Sequence, residues 1–72
     1  NNSLAAWVAL RVYLEQHLSA TQAARELFIH RSTFLYRLDR IKEILQSELD
    51  DPEEIFYLEL SFRLLEQERE KE

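Results

Sequence analysis

An all-α fold, a small domain of four or five helices, is the class this sequence predicts, and three observations predict it. Apolar residues recur at steps of three and four along nearly the whole chain, the spacing of one helix face. Start signals at Ser19 with Gln22, and at Asp51 before Pro52, divide that periodicity into segments. Hydrophobic residues make up 46% of 72 positions, with four Phe, three Tyr and one Trp, which is enough for one small core and too many for a disordered chain. No apolar run reaches the 18 residues that would suggest a membrane span.

The first segment, Ser3 to His17, opens with a cap at Ser3 and carries Trp7, Leu10, Leu14 and Leu18 as its inner stripe. The second starts at Ser19, which with Gln22 has the spacing of a capping box, and runs about two turns. Ala20, Ala23, Ala24 and Leu27 form its inner side, and their small size lets a neighbouring helix approach closely. Phe28 to His30 interrupts the pattern. The third segment, Arg31 to Gln46, has the stripe Phe34, Leu38, Ile41 and Leu45. Ser32, Thr33, Tyr36, Asp39, Arg40 and Glu43 lie on its other side, flanked by Arg31 and Leu35 on one edge and Arg37 on the other. Asp50 and Asp51 ahead of Pro52 start the fourth segment, Pro52 to Gln67, because an acidic cap satisfies orphan amides and proline suits the first helical position. Eight of the eleven residues from Ile55 to Leu65 are apolar and fall in two sets, Ile55, Leu58, Phe62 and Leu65 against Phe56, Tyr57, Leu60 and Leu64. A helix apolar on both sides is expected to be buried on both sides. The polar end from Glu66 to Glu72 is expected to fray.

Absences narrow the function. Without glycine there is no phosphate-cradling loop of the kind that needs positive φ, which removes P-loop and dinucleotide chemistry. Without cysteine there is no disulfide, thiolate zinc site or thiol nucleophile, as suits a reducing, cytoplasmic setting. Without methionine there is no initiator, so residues 1–72 read as a single domain excised from a larger protein. No residue set suggests a cofactor. His17 and His30 lie on different segments and make a poor metal pair, and Asp50, Asp51, Glu53 and Glu54 cap a helix start with no base and nucleophile beside them. The chain is not expected to be an enzyme.

The net charge of −5 argues against nucleic acid until its distribution is considered. Residues 1–42 hold six basic and three acidic side chains, a balance of +3, whereas residues 43–72 hold three basic and eleven acidic ones, a balance of −8. Charges are screened over roughly 8 Å at physiological salt, so a segregated acidic end need not cancel a basic face.

The segment from Ala20 to Leu38 has helix-turn-helix spacing: a short helix, a tight turn at Ile29 and a second helix over 31–45. In that geometry the second helix enters the major groove of duplex DNA, and Arg31, Ser32, Leu35 and Tyr36 point at base edges. Arg31 is the best candidate for direct readout, because a guanidinium can bond both acceptors of guanine. His30, Thr33, Arg37 and Arg40 flank it as candidates for phosphate contact, with Thr21 and Gln22 at the start of the preceding helix. Plainer roles compete: Arg31 as a solvated first residue, His30 as a cap, Tyr36 packed under a neighbouring helix, Arg37 and Arg40 paired with Glu43, Asp39 or the acidic tail. The two-sided helix 52–67 offers a different function, that of a protein-interaction or dimerisation module.

The string from Ala23 to Ile41, and within it His30, Arg31, Thr33, Tyr36, Arg37 and Leu38, resembles the C-terminal helix-turn-helix of PucR-type bacterial transcription regulators, which include purine-catabolism and sugar-diacid regulators. The resemblance extends from about Leu10 to Leu65, and the central helices also resemble the DNA-binding end of Fis-type proteins. It implies a Fis-like fold, promoter DNA as partner, a homo-oligomeric parent protein, no membrane, and an effector sensed by a domain outside this chain. Two positions depart from the family pattern. Ser32 stands where asparagine is common, which bears on base preference, and the glycine often found near 46–48 is missing, which points to a different turn after the third segment.

Overall fold

In the computed structural model, which describes residues 2–71 and the side chains of residues 3–70, the chain forms four helices. They are α1 (Asn2–Glu15), α2 (Ala20–Glu26), α3 (Arg31–Leu45) and α4 (Pro52–Lys71). α1 is the hub: α2 and α3 pack on it and on each other, while α4 packs on α1 alone. The core between them is Ala6, Ala9, Leu10, Val12 and Leu14 of α1, Ala23 and Ala24 of α2, Phe34, Leu38 and Ile41 of α3, and Leu49 from the last connection.

The starts of α2 and α4 follow their sequence signals. The Ser19 hydroxyl accepts from the Gln22 amide at 3.1 Å, and the Asp51 carboxylate accepts from Glu53 N–H at 3.1 Å with Pro52 in the first helical position. The capping box is only half formed, because the Ser19 amide donates to the Gln16 carbonyl instead. Ser3 is not a cap, since α1 is already helical at Asn2.

Two expectations about burial are corrected. Trp7 and Leu18, read as part of the α1 stripe, are exposed; Ala6 and Ala9 are buried in their place, because helices that cross closely need small residues at the contact. Leu18 lies past the helix end with φ 65°. α4 is covered on one side only: Ile55, Leu58 and Phe62 pack on the core, whereas Phe56, Tyr57, Leu60, Leu64 and Leu65 face solvent. Within one chain there is only α1 to cover it. α4 also runs to Lys71, four residues past the end expected at Gln67.

Positive φ is not closed to this glycine-free chain. His17, Leu18, Phe28, Gln46 and Leu49 all adopt it, at φ between 52° and 65°. Three of them end helices with one hydrogen-bond pattern. At the end of α3, Gln46 N–H donates to the Glu43 carbonyl and Ser47 N–H to the Lys42 carbonyl; Phe28 and Ile29 do the same at the end of α2, and His17 and Leu18 at the end of α1. This Schellman turn satisfies the last carbonyls and normally uses glycine at its left-handed residue. Gln46 thus takes the left-handed position that glycine normally fills, because closing the orphan carbonyls outweighs the cost of a Cβ there. Gln46→Gly is accordingly expected to raise the unfolding free energy by ~0.5–1 kcal/mol, read from the urea midpoint. A fall in the midpoint would show that the Gln46 side chain contributes more than its backbone costs.

Candidate nucleic-acid interface

α2 and α3 form a helix-turn-helix whose geometry follows from small residues and one aromatic anchor. Ala23 and Ala24 are fully or nearly buried, which brings α2 close to its neighbours. Phe34, completely buried in the first turns of α3, sets its ring 6.0 Å from that of Tyr13 of α1. With Leu38 and Ile41 it fixes the rotation of α3 about its own axis, and so fixes which residues face outward.

The outward line of α3 is Ser32, Thr33, Tyr36, Asp39, Arg40 and Glu43, all exposed, as the spacing predicts. Arg31, also exposed, opens the helix at one edge; Leu35 and Arg37 are half-buried along the edges. Tyr36 is 66% exposed, so it does not pack under a neighbour. His30 holds the N-cap position without bonding a helix amide through its ring, and the ring is exposed. Thr21 and Gln22 are exposed on the first turn of α2, where the Gln22 amide is already taken by Ser19.

Ion pairing separates the basic residues. Arg40 reaches Glu43 at 3.6 Å, an exposed contact one turn along the helix, of the kind that contributes ~0–1 kcal/mol. Arg25, Arg31 and Arg37 have no acidic partner among the described residues. Asp39 and Glu43 sit on the outward line in the later turns, so the positive character of α3 belongs to its first half. α4, which carries most of the acidic residues, packs on α1 and not on α2 or α3. A helix of 15 residues extends about 22 Å, and a groove about 12 Å wide admits one helix.

Two exposed residues next to this face were not singled out by spacing. Arg25 shares the outward side of α2 with Thr21 and Gln22; its signal was its position opposite Ala20, Ala23 and Ala24. Phe28 is 95% exposed at the left-handed turn between the helices, and its signal was an aromatic residue off both apolar stripes. Among the described residues, no three His, Cys, Asp or Glu side chains converge as a metal site would require, and no helix is long and apolar enough to cross a membrane.

A family profile described as the PucR C-terminal helix-turn-helix domain matches residues 7–64, which takes in all of α2 and α3. Among curated proteins, the purine catabolism regulatory protein of Bacillus subtilis (strain 168) is 42% identical over 55 residues, which is 76% of this chain and 10% of that protein. The chain thus spans about a tenth of the length of the curated relative it matches. No solved structure matches it.

Proposed function

Because the chain belongs to the family of PucR C-terminal helix-turn-helix domains, we propose that it is the sequence-specific, duplex-DNA-binding domain of a bacterial transcription regulator, with α3 seated in the major groove. The observation that carries the reading is the first half of α3: an exposed polar line with unpaired guanidinium groups at its edges, turned away from the core on a helix that does not pack against the acidic α4. Arg31 reads a guanine edge, and Ser32, Leu35 and Tyr36 lie over the neighbouring base edges, where an apolar or aromatic group suits a thymine methyl. Thr33, Arg37, Arg40 and His30 meet phosphates of one strand, and Thr21 and Gln22, with Arg25 beside them, meet the other. Asp39 and Glu43 confine the contact to the early turns by repelling phosphate from the later ones. The parent protein works in the cytoplasm as a homo-oligomer whose effector is sensed outside this chain. Nothing in this role is catalytic, and it needs no cofactor.

Fluorescence anisotropy of a labelled mixed-sequence duplex, titrated from low to near-physiological salt, tests the reading. Log affinity is expected to fall linearly with log salt at a slope near −3, as suits about three guanidinium–phosphate contacts per domain. Absence of binding at low salt, for the chain alone and for a version dimerised by a fused coiled coil, would overturn it.

A further inference from the structure

With α3 in the major groove, as proposed above, the base-facing side chains of its first two turns differ in what they can recognise. Arg31 and Leu35 stand four residues apart, as do Ser32 and Tyr36, so each pair forms a column along one side of the helix. Both columns have the same order, a hydrogen-bonding group in the first turn and an apolar one a turn later. Arg31 and Ser32 are exposed, Leu35 is half-buried and Tyr36 is 66% exposed. We infer that the apolar step of these columns reads a pyrimidine methyl group: the Tyr36 ring, with Leu35 beside it, covers the C5 methyl of a base one or two base pairs from the guanine held by Arg31.

The chemistry of the groove leaves little else for that position. In the major groove guanine shows two acceptors, adenine an acceptor and a donor, cytosine a donor, and thymine an acceptor with the one apolar group, its methyl. Residues 31–37 include no Asn, Gln, Lys, Asp or Glu, so the side chains that bond adenine twice or accept from cytosine are missing from these turns. Ser32 and Thr33 carry hydroxyls, which bond to more than one base and discriminate little. Arg31 remains for guanine, and the methyl remains for Leu35 and Tyr36. Asp39, about a turn beyond Tyr36, ends the window because phosphates repel its carboxylate. The spacing follows from the helix. Four or five residues advance about 6–7.5 Å against about 3.4 Å per base-pair step, so contacts a turn apart fall one or two base pairs apart on a helix inclined along the groove. The ring of Tyr36, not its hydroxyl, is the contact. Long side chains on a helix lean toward its N-terminus, which carries the ring over the turn of Ser32, and a side chain as small as serine leaves that face open. A methyl at the same ring carbon belongs to 5-methylcytosine as well as to thymine, so the position accepts either base.

The test starts from the duplex that the chain, dimerised by the fused coiled coil, selects from a random-sequence pool. Thymine is then replaced by uracil one position at a time, which removes only the methyl. At one thymine within two base pairs of the pair whose preference depends on Arg31, the replacement is expected to weaken binding about 4-fold, the effect of one buried methyl group, and elsewhere to change it little. Exchanging that thymine for cytosine, with its partner, is expected to cost at least as much, and 5-methylcytosine there to recover about 4-fold. Tyr36→Phe, which keeps the ring, is expected to keep the uracil effect. Tyr36→Ala, which removes an exposed side chain, is expected to lose it while the urea midpoint stays within ~0.5 kcal/mol of wild type. Failure to bind any duplex would overturn the DNA reading itself. Binding that tolerates uracil at every position, a uracil effect that persists in Tyr36→Ala, or one that vanishes in Tyr36→Phe would overturn the methyl contact and leave DNA binding standing.

Discussion

Replacing Arg31 by alanine is expected to weaken binding to the preferred duplex by about 1–3 kcal/mol, roughly 5- to 150-fold, and to flatten the preference at one base pair. The expectation rests on how little the fold gains from this side chain. Arg31 is the first residue of α3, exposed, and without an acidic partner among the described residues. A cation there also opposes the helix dipole, an effect of ~0.3–1 kcal/mol at an exposed site. The urea midpoint of Arg31→Ala should therefore match or slightly exceed that of the wild-type chain. Stability unchanged and affinity lost is the signature of a contact residue. Arg40→Ala is the comparison: its guanidinium already has Glu43 at 3.6 Å, and its loss should lower affinity modestly for every duplex alike. A panel of duplexes varied one base pair at a time separates the two. Equal losses on all sequences from both variants would show that Arg31 contacts phosphate, not a base.

Phe34→Ala should have the opposite signature, a loss of ~3–5 kcal/mol in stability. Its ring is wholly buried where α3 meets α1, with Tyr13 beside it. A chain of this length is typically stable by on the order of 4–11 kcal/mol, so the variant should lose about a third or more of its stability. The cavity would lie directly beneath the first turns of α3, and any DNA binding lost with the fold should return under a stabilising osmolyte. Phe28→Ala is the control in urea denaturation: the same residue type, six positions earlier and 95% exposed, should shift the midpoint by less than ~0.5 kcal/mol. Similar midpoints for the two variants would mean that Phe34 does not anchor α3.

What could be seen in the sequence was what short-range physics decides. The Ser19 and Asp51 caps follow from a side-chain oxygen reaching amides two or three residues on, and both form. The α3 stripe of Phe34, Leu38 and Ile41 was plain because one face of that helix is polar throughout. The exposures of Ser32, Thr33, Tyr36 and Arg40 followed from it directly. In α1 the largest side chain misled: Trp7 marked an apolar position, but where helices approach closely the contact goes to Ala6 and Ala9. In α4 the periodicity was right about which sides are apolar and silent about what covers them, since no described residue covers the second side. The turns were hidden for a different reason. Without glycine no position is marked as left-handed, yet Phe28 and Gln46 take that conformation because unsatisfied carbonyls at the helix ends decide it. Which side chains meet bases and which meet phosphates depends on a second molecule, and no pattern within the chain encodes it.

The attachment of α4 to α1 alone gives the domain two levels of cooperativity. Releasing α4 would expose Ile55, Leu58 and Phe62 while α1, α2 and α3 keep their packing on one another, so α4 is expected to open as a unit before the rest. In native-state hydrogen exchange its amides are expected to exchange through that smaller opening, and those of α3 only through the larger one. The arrangement divides the chain into an inner three-helix unit that keeps the orientation of α3 and an outer helix held by a weaker latch. Substitutions along α4 can therefore retune the latch while the inner unit keeps its own stability.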